Sequence, residues 1–250
     1  MEEILKVSSI KKSFLKDGQS NIVIDDVSFT INEGQCVGIV GESGCGKSTT
    51  VRIISGLLNF DDGEIYLGGN ILSNKAKVRL KEIQGKIQMV FQSPTESFNP
   101  RMKLGKSIKE AMKKSLTSVE KEEKLKMLFQ ECQLSYELAN RYPKEVSGGQ
   151  CQRAAIARAL ASDPQLLICD EATSALDVTV QFNIIKLLKN IQKNRDMAIL
   201  FICHDIALVQ QFCDYILVMK EGKIIEEGNT DEVILNPREV FTKNLINSII

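Results

Sequence analysis

Apolar residues follow two rhythms along this chain. Four short runs, CVGIV (36–40), KIQMVF (86–91), QLLIC (165–169) and AILFIC (198–203), read as strands. The last two are nearly continuous in apolar residues, as expected for strands covered on both faces of a parallel sheet. Between them Val180, Ile184, Leu187, Leu188 and Ile191 recur at helical spacing, giving a strand–helix–strand unit. Toward the ends the rhythm becomes short alternation. ILKVSSI (4–10) and NIVIDDVSFTI (21–31) predict a β layer, and YILVMKEGKIIEEG (215–228) a hairpin turning at Glu221-Gly222. Residues 98–146 carry no strand signal; they are lysine-rich, with helical patterns over 106–114 and 119–133. The pattern predicts an α/β fold: a mainly parallel sheet, an N-terminal antiparallel β layer and an inserted all-helical subdomain.

Composition acts mainly by exclusion. At 250 residues and 43% hydrophobic content the core material is ample. Lys+Arg and Asp+Glu both total 32, so no overall field favours nucleic acid or an anionic membrane as a general partner. No run approaches the ~20 apolar residues needed to cross a bilayer. The opening MEEILKVSS has no signal-peptide character, so the expectation is a protein that is not exported. Seven cysteines are scattered without a CxxC pair, which fits reduced thiols packing as small hydrophobes rather than a disulfide framework or zinc site.

GESGCGKST (41–49) fits G-x-x-x-x-G-K-[ST], follows a predicted strand and precedes a helix-like run from Thr49 to Leu58. Gly41, Gly44 and Gly46 let the backbone fold around phosphate oxygens, with Glu42, Ser43 and Cys45 in the same loop and Thr49 at its end. Lys47 is placed to reach β/γ-phosphates and Ser48 to ligate Mg²⁺. A carboxylate for that cation is offered by LLICDEATSALD (166–177), where Asp170 and Glu171 follow a buried strand. Asp170 can hold the Mg²⁺ shell through water and Glu171 can act as general base. The pair can equally be a helix N-cap.

VSGGQCQRAAIARALASDP (146–164) decides among NTPases. Ser147-Gly148-Gly149-Gln150 resembles the signature of ATP-binding-cassette (ABC) ATPases, and the order P-loop, Gln92, SGGQ, LLICDE, SALD, His204 matches that family. Read from the residues, Ser147 and the Gly148/Gly149 amides open a helix over 150–161 and form a second anion-binding terminus. The resemblance implies that this terminus caps ATP held by a second cassette, with Asp177 at the dimer seam. It further implies that Phe14 stacks on adenine, a core Phe being the alternative, and that Gln92 touches Mg²⁺ and water. It makes the chain a single ABC ATPase domain, with 1–97 and 147–250 as RecA-like core and β subdomain. Residues 98–146 are then the helical subdomain, extending into the signature helix to about 162.

QMVFQSPTESFNPRM (88–102), RYPKEVSGGQ (141–150), ALDVTVQ (175–181) and NPREVFTKNLINSI (236–249) are similar to peptide/nickel importers of bacteria. The implied role is an ATPase at the cytoplasmic face of the bacterial inner membrane, energising uptake of peptides or of nickel and metal chelates. The implied partners are a paralogous cassette (or a second copy), two transmembrane permease subunits and, indirectly, an extracytoplasmic binding protein. A soluble ABC protein or an exporter subunit is the alternative.

The only histidine, His204, follows the strand AILFIC. A single His in that position can be a satisfied core residue. In the family's motif order it stands beside the γ-phosphate and positions water with Glu171, while Asp205 caps the next helix. Cys45, near Lys47 and a helix N-terminus, is the thiol expected to react, with Cys169 and Cys203 turned away from the nucleotide by strand alternation.

Overall fold

A computed structural model describes residues 2–16, 19–171 and 177–247. Two sheets form the frame. One is antiparallel, of strands β1 (Glu3–Lys16), β2 (Gln19–Asn32), β4 (Asp62–Leu67) and β5 (Asn70–Ile71), in the order β2-β1-β4-β5. The other contains β3 (Cys36–Val40), β6 (Ile87–Val90), β7 (Leu166–Asp170), β8 (Ala198–Ile202), β9 (Tyr215–Lys220) and β10 (Lys223–Asn229), in the order β10-β9-β3-β8-β7-β6. All but β10 run parallel to their neighbours.

Alternation along β3 explains the layering. Val37 and Ile39 join one core cluster, with helix α1 (Lys47–Ile54) and the antiparallel sheet. Cys36 and Val40 join the other, with helices α5 (Gly148–Leu160), α6 (Val178–Arg195) and α7 (Ile206–Phe212). Helix α1 therefore lies between the two sheets. It ends earlier than the predicted Leu58 because Gly56 takes φ 70°. Gly56 N–H then donates to Ile53 O and Leu57 N–H to Arg52 O, a Schellman closure.

The segment between β6 and β7 contains only helices and turns among its described residues: α3 (Leu104–Glu110), α4 (Ser118–Glu131), two 3₁₀ turns at Tyr136–Asn140 and Pro143–Glu145, then α5. Helix α3 is earlier and shorter than the 106–114 pattern. Helix α4 begins at Ser118 because Thr117 caps it, donating its own N–H to Glu120 and accepting Glu120 N–H at 3.3 Å. Strands β4 and β5 and helix α2 (Ala76–Glu82) lie outside the predicted elements. No helix among the described residues is long and apolar enough to cross a membrane.

Candidate nucleotide site

Register aligns the ends of four adjacent strands. Ile39 of β3 pairs with Ile202 of β8, Ile202 with Asp170 of β7, and Cys169 with Val90 of β6. The residues that follow, Gly41, His204, Glu171 and Gln92, therefore emerge along one edge, at the carboxyl ends where open α/β sheets bind ligands. Strand QLLIC is displaced by one residue from expectation, so Asp170 closes β7 and Glu171 is the first residue beyond it. KIQMVF is trimmed to Ile87–Val90 and AILFIC to Ala198–Ile202.

Backbone conformation builds the glycine loop. Gly44 and Gly46 have φ 83° and 114°. At Gly46 that positive φ strains any L side chain, and a Cβ would also stand 3.0 Å from Val23 O, so glycine is favoured there. The loop is held from below by the 221–222 turn: Gly222 N–H donates to Cys45 O at 2.9 Å, and Gly222 O accepts from Asp25 N–H. Sequence patterning found that turn but not its contact with the loop. Helix α1 starts at Lys47 with no side-chain cap, leaving first-turn amides turned toward the loop's concavity. Ser43, Gly44, Gly46, Lys47, Ser48, Thr49 and Glu171 line a cavity of about 120 Å³. Lys47 is buried, its Nζ donating to Gly41 O at 2.7 Å and Glu42 O at 2.8 Å.

Asp170 and Glu171 differ in environment. Burial, and then the neighbouring Glu171 charge, push the Asp170 carboxyl above its ordinary pKa, against Arg52 and Lys47. Its Oδ1 is buried and has no hydrogen-bond partner, an arrangement that a cation or its water shell satisfies. No group of three His, Cys, Asp or Glu among the described residues could hold a metal. A cation here therefore has to share its shell with phosphate and water, as Mg²⁺ does. Glu171 has φ 47°, costly for a non-glycine residue, while its N–H donates to Ile202 O at 3.1 Å. His204 is exposed, and Asp205 caps α7 by accepting from Ala207 N–H at 2.8 Å.

Ser147, Gly148, Gly149, Gln150, Asp177, Phe14, Gln92 and His204 do not line the 120 Å³ cavity. Helix α5 starts at Gly148, two residues before the predicted start, because Ser147 and Gln150 cap each other: Ser147 Oγ accepts Gln150 N–H at 3.2 Å and Gln150 Oε1 accepts Ser147 N–H at 3.0 Å. Asp177 caps α6, accepting Val180 N–H at 2.9 Å, and the Ser174–Leu176 part of SALD lies outside the described residues. Phe14 is 40% exposed on β1 with Lys12 Nζ 5.3 Å from its ring centroid. Patterning missed Arg158. From the inner side of α5 it donates to Ser97 O at 2.6 Å and covers the Phe98 ring at 4.2 Å, gripping the segment after Gln92. Its one sequence signal is an arginine inside the apolar run AAIARAL.

All seven cysteines are free and buried. Burial pushes the Cys203 and Cys151 thiols up to about 11 and those of Cys36, Cys132 and Cys169 higher still.

Fold and loop together define an α/β P-loop nucleotide-binding protein. The sequence profile of the ABC transporter family matches residues 24–174. The oligopeptide transport ATP-binding protein OppF of Bacillus subtilis is 42% identical over 99% of this chain and 83% of its own length. The dipeptide transport ATP-binding protein DppF of Haemophilus influenzae is 37% identical over 97% of this chain and 75% of its own. Among solved structures, the ATP-binding cassette MJ0796, in a dimeric post-hydrolysis state with ADP and Pi, superposes with TM-score 0.81 at 28% identity, over 91% of this chain and 99% of that one. The chain belongs to the ABC transporter ATPases, in the group of these oligopeptide and dipeptide transport subunits. Such ATPases bind ATP with Mg²⁺, dimerise, and couple hydrolysis to transport through membrane permease subunits.

Proposed function

We propose that this chain is the ATP-hydrolysing subunit of a bacterial peptide importer, bound peripherally at the cytoplasmic face of the membrane. The observation that carries the reading is the level edge at which Gly41, His204, Glu171 and Gln92 leave four adjacent strands. The loop amides and Lys47 hold the β- and γ-phosphates, and Lys47 exchanges its two carbonyl acceptors for phosphate oxygens. Ser48, Gln92 and, through water, Asp170 would hold Mg²⁺, which would supply neutralisation of the phosphate charge. Glu171 takes the proton of the water that attacks the γ-phosphorus as the bond to the β-phosphate oxygen breaks. His204 hydrogen-bonds the γ-phosphate and orients that water. Phe14 stacks on the adenine.

The signature residues Ser147–Gln150 and Asp177 act on the nucleotide of a second, paralogous cassette. This agrees with their place outside the cavity of their own chain. Residues 98–146 form the helical subdomain. With Gln92 they pass the motion of the dimer to two permease subunits fed by an extracytoplasmic binding protein. An apolar groove of about 490 Å³ beside Phe91, with Leu57, Leu80 and Met89 in its walls, is offered as the permease seat. The peptide cargo follows the names of the relatives.

Affinity capture from detergent-solubilised membranes tests the assignment. Two membrane subunits and a related cassette are expected to co-purify, with ATPase activity stimulated by a peptide-loaded binding protein. A chain recovered without membrane subunits overturns it.

A further inference from the structure

The zero net charge of this protein conceals a separation. Residues 74–114 hold eleven Lys/Arg against three Asp/Glu, so the remainder of the chain is net acidic by the same margin. Of the eleven, Arg79 is buried and Lys109 is paired with Glu122; the other nine are exposed, and none has an ion-pair partner among the described residues. Lys81 lines the apolar groove, and the others lie along the segments that lead into and away from it. Lys75 precedes α2 and Lys77 and Lys81 stand on it; α2 supplies Leu80 and Lys81 to one wall, and Lys86 precedes the edge strand β6. Arg158 closes the other side and binds Ser97; beyond it come Arg101, Lys103 and Lys106, with α3 packed on α5. Lys113 and Lys114 follow α3 in the chain, Lys113 at the edge of a second groove that Glu120, Glu123 and Lys124 also line.

We infer that this basic rim rests on the anionic lipid headgroups around the permease, so that the groove is presented to its partner by the membrane surface itself. The orientation rests on the function proposed above. Three physical points favour lipid over an acidic protein segment. Eight of the nine exposed cations are lysines, hydrated point charges suited to a diffuse field rather than to forked carboxylate pairing. They follow two helices and a loop instead of converging on a pocket. Cytoplasmic loops of membrane proteins are enriched in Lys/Arg, which a basic rim repels while anionic headgroups attract it. The net acidic remainder is repelled by the same surface, so the charge separation orients the molecule as well as attracting it.

Vesicle sedimentation with the whole chain decides the matter. Binding is expected to phosphatidylcholine vesicles that contain phosphatidylglycerol, to weaken with added salt, and to fall about tenfold or more in Lys103→Glu/Lys106→Glu/Lys113→Glu. A control on α6, Lys186→Glu/Lys189→Glu/Lys193→Glu, is expected to bind like the wild type, with Mg-ATP thermal shifts showing that both variants are folded. Equal binding to pure phosphatidylcholine, or equal loss in the control, overturns the inference. So does a reconstituted transporter in pure phosphatidylcholine that loses as much permease-stimulated ATPase through the rim triple as one in mixed lipid, because the rim then touches protein. A wild-type chain that permeases never stimulate, in any lipid, refutes the importer assignment and not the vesicle result.

Discussion

Gly149 and Val180 leave no space between them: a Cβ on Gly149 would stand 2.8 Å from Val180 Cγ1. The contact joins the first turn of α5 to the first turn of α6, so the signature residues and the Asp177 cap are held as one piece. Gly149→Ala is expected to force these turns apart, costing about 1–3 kcal/mol of stability by overpacking and lowering ATPase activity. Val180→Ala in the same chain should restore both. A double-mutant cycle by urea unfolding and turnover checks this, and additive losses would show that the obstacle lies elsewhere.

Glu171→Gln preserves size and removes the carboxylate proposed above as the base. Hydrolysis is expected to fall by ~10²-fold or more with ATP affinity retained, and the ATP-bound dimer to accumulate in gel filtration. Near-normal turnover would assign water activation to another group.

Asp170 gives a pH-dependent prediction. Its folded pKa is raised, mainly by burial, so the folded state binds its proton more tightly than the unfolded chain does. Without nucleotide, Asp170 therefore destabilises the fold above its folded pKa, and the penalty vanishes as pH falls below the ordinary carboxylate range. Asp170→Asn should raise the melting temperature of the nucleotide-free protein near neutral pH, with the gap closing toward pH ~4. The same variant should lose the extra stabilisation that Mg²⁺ adds to ATP. Thermal unfolding across pH, with and without Mg-ATP, reads both effects; a wild type more stable than the variant at neutral pH would falsify the sign.

Arg158 clamps Ser97 and Phe98. Arg158→Lys keeps the charge but loses the planar face on Phe98. It is expected to destabilise by about 1–2 kcal/mol and to lower kcat while the KM for ATP changes little. An unchanged kcat would mean that the clamp is structural only.

These residues also mark what was legible before the structure. The strands β3, β7 and β8 were, because burial on both faces makes them almost purely apolar, and the glycine loop was, because phosphate chemistry dictates residue types at fixed spacing. Strand β4 was not. Its run DGEIYL buries only Ile65 and Leu67, and Gly63 sits where a Cβ would strike Ser9 O at 2.5 Å. Helix starts at Ser147 and Thr117 are fixed by reciprocal capping that periodicity does not register. Contacts between distant segments, such as Gly222 with Cys45 or Arg158 with Ser97, leave no local pattern at all.

Cys45 supplies the last prediction. At 8% exposure Cys45 is the most exposed of the seven cysteine residues, and its sulfur lies 3.8 Å from Lys47 Nζ inside the glycine loop. Alkylation is expected to be slow overall and to reach Cys45 first, since the other six cysteines are more deeply buried. Phosphate binding fixes the loop amides and draws Lys47 outward, so Mg-ATP should protect Cys45 while leaving the remaining thiols unchanged. Mass spectrometry of labelled peptides with and without saturating Mg-ATP measures this directly. Equal labelling of Cys45 in both conditions would show that the loop closes on phosphate without covering its sulfur.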